Sequence, residues 1–173
     1  MKYHILAFFF GFLLDLLLGD PHWLPHPIRL IGSLISGLEK KFLGEVPEKD
    51  HKKELKRGVL LVFLVLFITV SVSGMLIVGA YNIYPYLGVL IETIMTYQIL
   101  ATKCLKVESM KVYHCLKTEG VEAARNAASM IVGRDTSVLD EEGVVKAAIE
   151  TVAENTSDGV IAPMLYTALG GPI

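Results

Sequence analysis

Three stretches of the chain hold side chains whose types and spacing suit chemistry. Glu150, Glu154 and Asp158 recur every four residues, so one continuous helix would align three carboxylates with Asn155 beside them. Such a stripe suits Mg²⁺, which takes a few carboxylates plus water and phosphate oxygens. Glu142 and Lys146 extend the same stripe, which is equally what a solvated helix face laced with i,i+4 pairs shows. Gly133-Arg134-Asp135-Thr136 sets a guanidinium, a carboxylate and a hydroxyl at the turn before a helix, where phosphate or a metal-phosphate can bind. A helix C-cap followed by an N-cap and a local Arg–Asp pair would use the same residues. The third stretch, Gly19 to Arg29, holds three prolines and two histidines, and reads as an ordered, non-helical segment at a membrane interface. Pro25 works against the helix that would bring His22 and His26 together as metal ligands. The plainer reading has Trp23 anchoring among lipid headgroups while Asp20 and Arg29 pair or hydrate.

Two more carboxylates, Asp15 and Glu92, lie inside apolar runs. A carboxylate there is costly unless it faces protein, water or a cation. Each is therefore a candidate site residue, or a group that reaches the membrane edge or binds a neighbouring helix. No G-x-x-x-x-G-K-[ST], G-x-G-x-x-G or G-x-S-x-G motif occurs in the 173 residues, so a nucleotide site would be of another kind.

The elements that must position these groups are mostly apolar. Hydrophobic residues make up 53% of the chain and charged ones 20%, a balance that favours lipid as solvent. The formal charge of −2 and the lack of a basic, aromatic-lined patch argue against nucleic acid as a partner. Cys104 and Cys115 have no zinc spacing and suggest no disulfide framework. The expected fold is all-α: a polytopic helical membrane protein with cytosolic helices between and after its spans. Spans are expected over about 3–19, 58–84 and 86–105. Of these, 58–84 lacks any charged side chain and exceeds the roughly 20 residues a crossing needs. The first is no signal peptide, because Asp15 interrupts it and Gly19-Asp20-Pro21 offers no small-x-small cleavage site. Eight Lys and Arg, Arg29 to Arg57, separate the first two spans, and the remainder except Lys2 lie at or beyond the end of the third. Both regions should be cytoplasmic and Asn82 should face outward.

Residues 45–57 read as a solvated loop or a frayed helix entrance. Beyond the third span, Val107 to Val132 reads as one amphipathic helix stopped by Gly133. Ser137 to Asp140 fits a helix-start signal, followed by a helix over about 141–155 that buries Val145, Ala148, Ile149 and Val152. The apolar segment 160–173, about 14 residues, is too short to cross a bilayer of about 30 Å.

Two segments together carry a family resemblance. Leu13-Leu14-Asp15-Leu16-Leu17-Leu18-Gly19-Asp20-Pro21 with His26-Pro27-Ile28-Arg29, and Gly133-Arg134-Asp135-Thr136 with Glu150-Thr151-Val152-Ala153-Glu154-Asn155-Thr156-Ser157-Asp158-Gly159, closely resemble the CobD/CbiB family of adenosylcobinamide-phosphate synthases. The resemblance runs over essentially the whole chain. It implies a multi-pass inner-membrane enzyme of cobalamin biosynthesis with its active face in the cytoplasm. That enzyme joins a propionate carboxylate of (adenosyl)cobyric acid to aminopropanol or its phosphate, driven by ATP with Mg²⁺. A carboxylate oxygen leaves poorly, so activation, most simply as an acyl phosphate, must precede attack by the amine. Carried over by motif, the implied catalytic residues are His26, Arg29, Arg134 and Glu150. Asp15, Asp20 and Asn155 would bind substrate or phosphate, and Asp135, Glu154 and Asp158 would hold metal. Membrane lipid is an implied partner, and a complex with other cobalamin-assembly enzymes is compatible. Full members of the family extend further, so a C-terminal portion is expected to be missing and this stretch alone inactive. A different class also fits the apolar pattern: a non-catalytic corrinoid transport or scaffold component.

Overall fold

The computed structural model describes residues 2–21, 23–42, 44 and 51–173. Every regular element among them is helical: α1 (Lys2–Leu18), α2 (Pro27–Phe42), α3 (His51–Ile83), α4 (Pro85–Ile99), α5 (Thr102–Thr118), α6 (Val121–Ser129), α7 (Glu141–Thr156), a π-turn (Ser157–Ile161) and α8 (Ala162–Gly170). The all-α expectation holds. The chain divides into two compact units, 1–21 with 92–172, and 22–91 with 173, so the boundary falls inside α4.

The second unit holds α2 packed on α3. Pro27 opens α2, as suits a residue whose missing N–H is not needed in a first turn. The non-helical stretch therefore ends at His26, not Arg29. Among the described residues α3 alone is long and apolar enough to cross a membrane; its 33 residues reach about 50 Å at 1.5 Å each. Residues 51–57 form its polar first turns, and 45–50, the rest of the expected loop, lie outside the described residues, as does His22. Pro85 ends α3 and opens α4, where Gly88 lies so close to the Tyr81 ring that a Cβ would come within 2.3 Å of it.

In the first unit α1 buries Ala7, Gly11 and Asp15, which stand four apart and so share one stripe. This stripe meets α4: a Cβ on Gly11 would fall 2.6 Å from Thr96 Cβ, and Thr93 Oγ1 donates to Ala7 O at 3.4 Å. The large side chains Ile5, Phe9, Phe10, Leu16 and Leu17 are exposed. Farther along, α5, α6 and α7 enclose a conventional core of Val112, Ala124, Ala128, Val132, Val144 and Ala147.

Three expectations change here. The third apolar run does not continue to residue 105, because the helix stops at Ile99 and restarts at Thr102. No glycine or proline marks the break; the amides of Ala101 and Thr102 are instead captured by distant acceptors. The stretch 107–132 is two helices, divided where Gly120 adopts φ +95°, a conformation glycine accepts without Cβ strain. Within α7 the buried residues are Val144, Ala147 and Thr151, while Val145 and Ile149 are exposed. Adjacent stripes of α7 are both apolar, so periodicity could not choose between them; packing against α5 and α6 did.

Candidate functional site

The turn Gly133 to Thr136 is fastened from below. Thr136 is buried and its hydroxyl donates to Arg125 O at 3.0 Å, while Arg125 Nε donates to Leu139 O. Asp135 is tied within the turn, its Oδ1 accepting from Ser137 N at 2.9 Å and Ser137 Oγ at 2.7 Å. Those hydrogen bonds, the hydroxyl's the larger, hold its carboxyl below the usual aspartate value, since both donors favour the ionised form. Helix α7 is capped by Asp140, whose Oδ1 accepts from Gly143 N at 2.8 Å; Ser137 serves Asp135 instead.

Arg134 does not pair with its neighbour Asp135. Its Nη2 lies 2.5 Å from Oε2 of Glu150, with side chains 55% and 44% exposed. The pair joins the turn to α7, so two segments sixteen residues apart meet in one charge-assisted contact. Exposed ion pairs contribute only about 0–1 kcal/mol. Arg134 can therefore exchange Glu150 for another anion at little cost.

Glu154, Asn155 and Asp158 are also exposed. Asn155 Nδ2 donates to Thr151 O at 3.0 Å, which leaves its Oδ1 and its second N–H for recognition. The expected stripe of three carboxylates is interrupted, because Asp158 lies in the π-turn beyond the last residue of α7. Pro163 explains that turn. In an α-helix the Gly159 carbonyl would take the N–H of residue 163, but proline has none and its ring crowds that carbonyl. The helix widens, Ala162 N bonds back to Ser157 O, and Gly159 O accepts from Ala101 N at 3.2 Å instead. Among the described residues no three His, Cys, Asp or Glu side chains come together to hold a metal. The exposed carboxylates Asp135, Glu154 and Asp158 suit Mg²⁺ only in its usual manner, with one or two carboxylates and the remaining positions filled by water and phosphate.

The other motif segment is linked to this π-turn only through the start of α5. Asp15 is 1% exposed, and its Oδ2 accepts from Thr102 N at 3.0 Å. Lys103 Nζ donates to Leu17 O and Tyr97 OH to Gly19 O. Gly19 has φ +64°, and a Cβ there would meet the Lys103 side chain at 3.2 Å. Asp20 is half-buried nearby and its charge is felt at Cys104, whose thiol is pushed up first by burial and then by Asp20. Neither Tyr97, Lys103 nor Thr102 stood out in the sequence. The only signal was Pro163 four residues after Gly159.

His26 and Arg29 belong to the second unit. His26 Nδ1 accepts from Ile28 N at 3.3 Å and its carbonyl from Arg29 N at 3.0 Å, so the residue caps α2. With Nδ1 accepting, Nε2 carries the proton and the ring is a donor in this arrangement. Glu92, weighed in the sequence, is buried and hydrogen-bonded to Nδ1 of His4, whose Nε2 meets Ala168 O at 2.9 Å.

Both motif segments fall within the stretch that matches a known family. The family model described as CobD/Cbib protein matches residues 8–173. A cobalamin biosynthesis protein CobD of Clostridium perfringens is 44% identical over 162 residues, covering 93% of this chain and 50% of that protein. Its namesake from Geobacter metallireducens is 45% identical over 159 residues, covering 92% and 48%, and that from Listeria monocytogenes 44% identical over 165, covering 94% and 51%. The chain spans about half the length of these relatives. No solved structure matches it.

Proposed function

This chain belongs to the CobD/Cbib family, and from that premise we propose that it serves cobalamin biosynthesis as part of a membrane-bound amide ligase. The proposed reaction joins the propionate carboxylate of (adenosyl)cobyric acid to the amine of aminopropanol or aminopropanol phosphate. The observation that carries the reading is the Arg134–Glu150 pair, in which two motif segments present an exchangeable guanidinium and a carboxylate at an exposed edge.

Bound ATP with Mg²⁺ would supply the phosphoryl group that turns a carboxylate oxygen into a leaving group. Arg134 gives up Glu150 to bind phosphate oxygens, matching a planar fork to a phosphate face. Glu150, released, takes the proton that the amine must lose as its nitrogen bonds to the carbonyl carbon. Asp135, already fixed by Ser137, with Glu154 and Asp158 offers the carboxylates that would hold Mg²⁺. Asn155 offers an amide to substrate. Asp20, His26 and Arg29 enter the proposal through the family resemblance. Because His26 caps α2, the base role falls to Glu150.

The proposed setting is a cell membrane crossed by α1, α3 and α4, with the α5–α7 face in the cytoplasm. Among the described residues only α3 is long enough alone. For α1 the support is its pattern, with small residues inside and large apolar ones outside. That pattern fits lipid, where close packing of small residues drives helix association. Helices of 17 and 15 residues reach only about 26 and 23 Å, so α1 and α4 would require local thinning of the bilayer.

The test is nucleotide turnover by the purified full-length polypeptide in lipid. ADP release and amide product are expected only when cobyric acid and the amine are both present. Corrinoid binding without any turnover would favour a transport or scaffold role instead.

A further inference from the structure

Asp15 is one of the residues that the family resemblance assigns to substrate, yet its surroundings are those of an internal strut. A carboxyl that is 1% exposed must find a hydrogen-bond partner or lose several kcal/mol of hydration. Asp15 finds its partner in the chain's own backbone, the Thr102 amide. That amide is one of the four N–H groups that every helix start leaves unsatisfied. The N-cap residue of α5 is Ala101, which has no side-chain acceptor. A residue 87 positions earlier in the chain therefore caps α5.

The contact is reciprocal. Helix α1 ends without a basic residue in its last turn, and Lys103, next to the capped amide, donates to Leu17 O there. The end of α1 receives a cation from α5, and the start of α5 receives an acceptor from α1, each where the helix dipole favours it. Tyr97 adds a third tie to Gly19 O. The amide preceding Thr102, that of Ala101, takes the Gly159 carbonyl that Pro163 leaves without an α-helical donor. A chain of hydrogen bonds thus runs from the Asp15 carboxyl through Thr102 and Ala101 to the π-turn that carries Asp158.

We propose that Asp15 is a positioning residue: its buried carboxyl fixes the start of α5 and, through the Ala101–Gly159 hydrogen bond, the π-turn bearing Asp158, without touching substrate. The activity part of this inference rests on the ligase reading; the structural part does not. A capping acceptor need not be charged, so asparagine should replace Asp15 where alanine cannot. The full-length polypeptide and its D15A and D15N variants are to be compared by hydrogen–deuterium exchange over residues 98–105 and 155–162, and by amide product formed.

Alanine is expected to speed exchange in both segments and to lower product about tenfold, the size of a lost cap acceptor. Asparagine is expected to restore both. Loss of product in D15N with native exchange would place Asp15 among the reacting groups and overturn the inference, as would unchanged exchange in D15A. If the unaltered protein forms no amide bond, the ligase reading fails. Exchange then decides alone: protection lost in D15A and regained in D15N upholds the strut, and any other pattern removes it.

Discussion

Helix α1 and helix α7 lie in the same compact unit and sort their side chains by opposite rules. In α1 the buried residues are small or polar, Ala7, Gly11 and Asp15, while Ile5, Phe9 and Leu17 are exposed. In α7 the buried residues Val144 and Ala147 join an apolar core with Thr151 beside them, and although Val145 and Ile149 are exposed, the rest of the outer face is Glu142, Lys146, Glu150 and Glu154. The first pattern makes sense when the solvent is as apolar as leucine and close approach is what holds helices together. The second is the pattern of water. The backbone contacts that link Asp15 to α5 and the π-turn lie where one rule gives way to the other.

The largest effect should come from the water-sorted side. Arg134→Ala in the full-length polypeptide is expected to lower product formation by about 10²- to 10³-fold, or ~3–4 kcal/mol of transition-state stabilisation, with expression and insertion unchanged. Turnover near that of the parent would detach the Arg134–Glu150 edge from the chemistry.

Around α1 packing decides. Gly11→Val has no room, since even the Cβ would lie 2.6 Å from Thr96 Cβ and 3.0 Å from Thr93 O. A loss of about 1–3 kcal/mol or more is expected from overpacking, read as a lower unfolding temperature in detergent. Gly74→Ala in α3, where a Cβ meets nothing within 4 Å, should be harmless. Equal loss in both would mean that α1 and α4 are not held by this contact.

The core of α5–α7 should respond by burial, not by hydrophobicity. Val144→Ala is expected to cost about 1–2 kcal/mol for the methyl groups and the space they leave. Ile149→Ala, at a position 63% exposed, should stay within about 0.5 kcal/mol. Denaturant midpoints would check both, and the reverse order would restore the stripe that the sequence suggested.

The smallest effect concerns Asp135. Its carboxyl titrates below the ordinary value because Ser137 donates to it. The stability this contributes is present above the unfolded-state pKa and is lost as pH falls through the lower folded value. Ser137→Ala should move the Asp135 pKa upward, measurable by carboxyl-carbon NMR titration. No movement would show that the hydroxyl is not the cause.

Composition and charge-free length made α3 legible, and Asp140 with Gly133 framed the turn that carries Arg134 and Asp135. The break at Gly120 was not read, because amphipathic continuity on both sides hid it. Other features depend on contacts between distant positions. The stop at Ile99 exists because Gly159 and Asp15 capture the amides of Ala101 and Thr102, and no local residue announces it. The choice between Val144 and Val145 depends on which stripe meets α5 and α6. The partner of Arg134 is Glu150, although Asp135 is adjacent in sequence, because folding brings α7 against the turn.

Whether one unit meets lipid at α1 and water at α5–α7 can be read from single-cysteine labelling in sealed vesicles, in a background lacking Cys104 and Cys115. Cysteines replacing Lys117 and Glu122 should react with a membrane-impermeant maleimide added from the cytoplasmic face. A cysteine replacing Phe9 should react only with a lipid-soluble reagent. Equal reaction of positions 9 and 122 with the impermeant reagent would contradict the account.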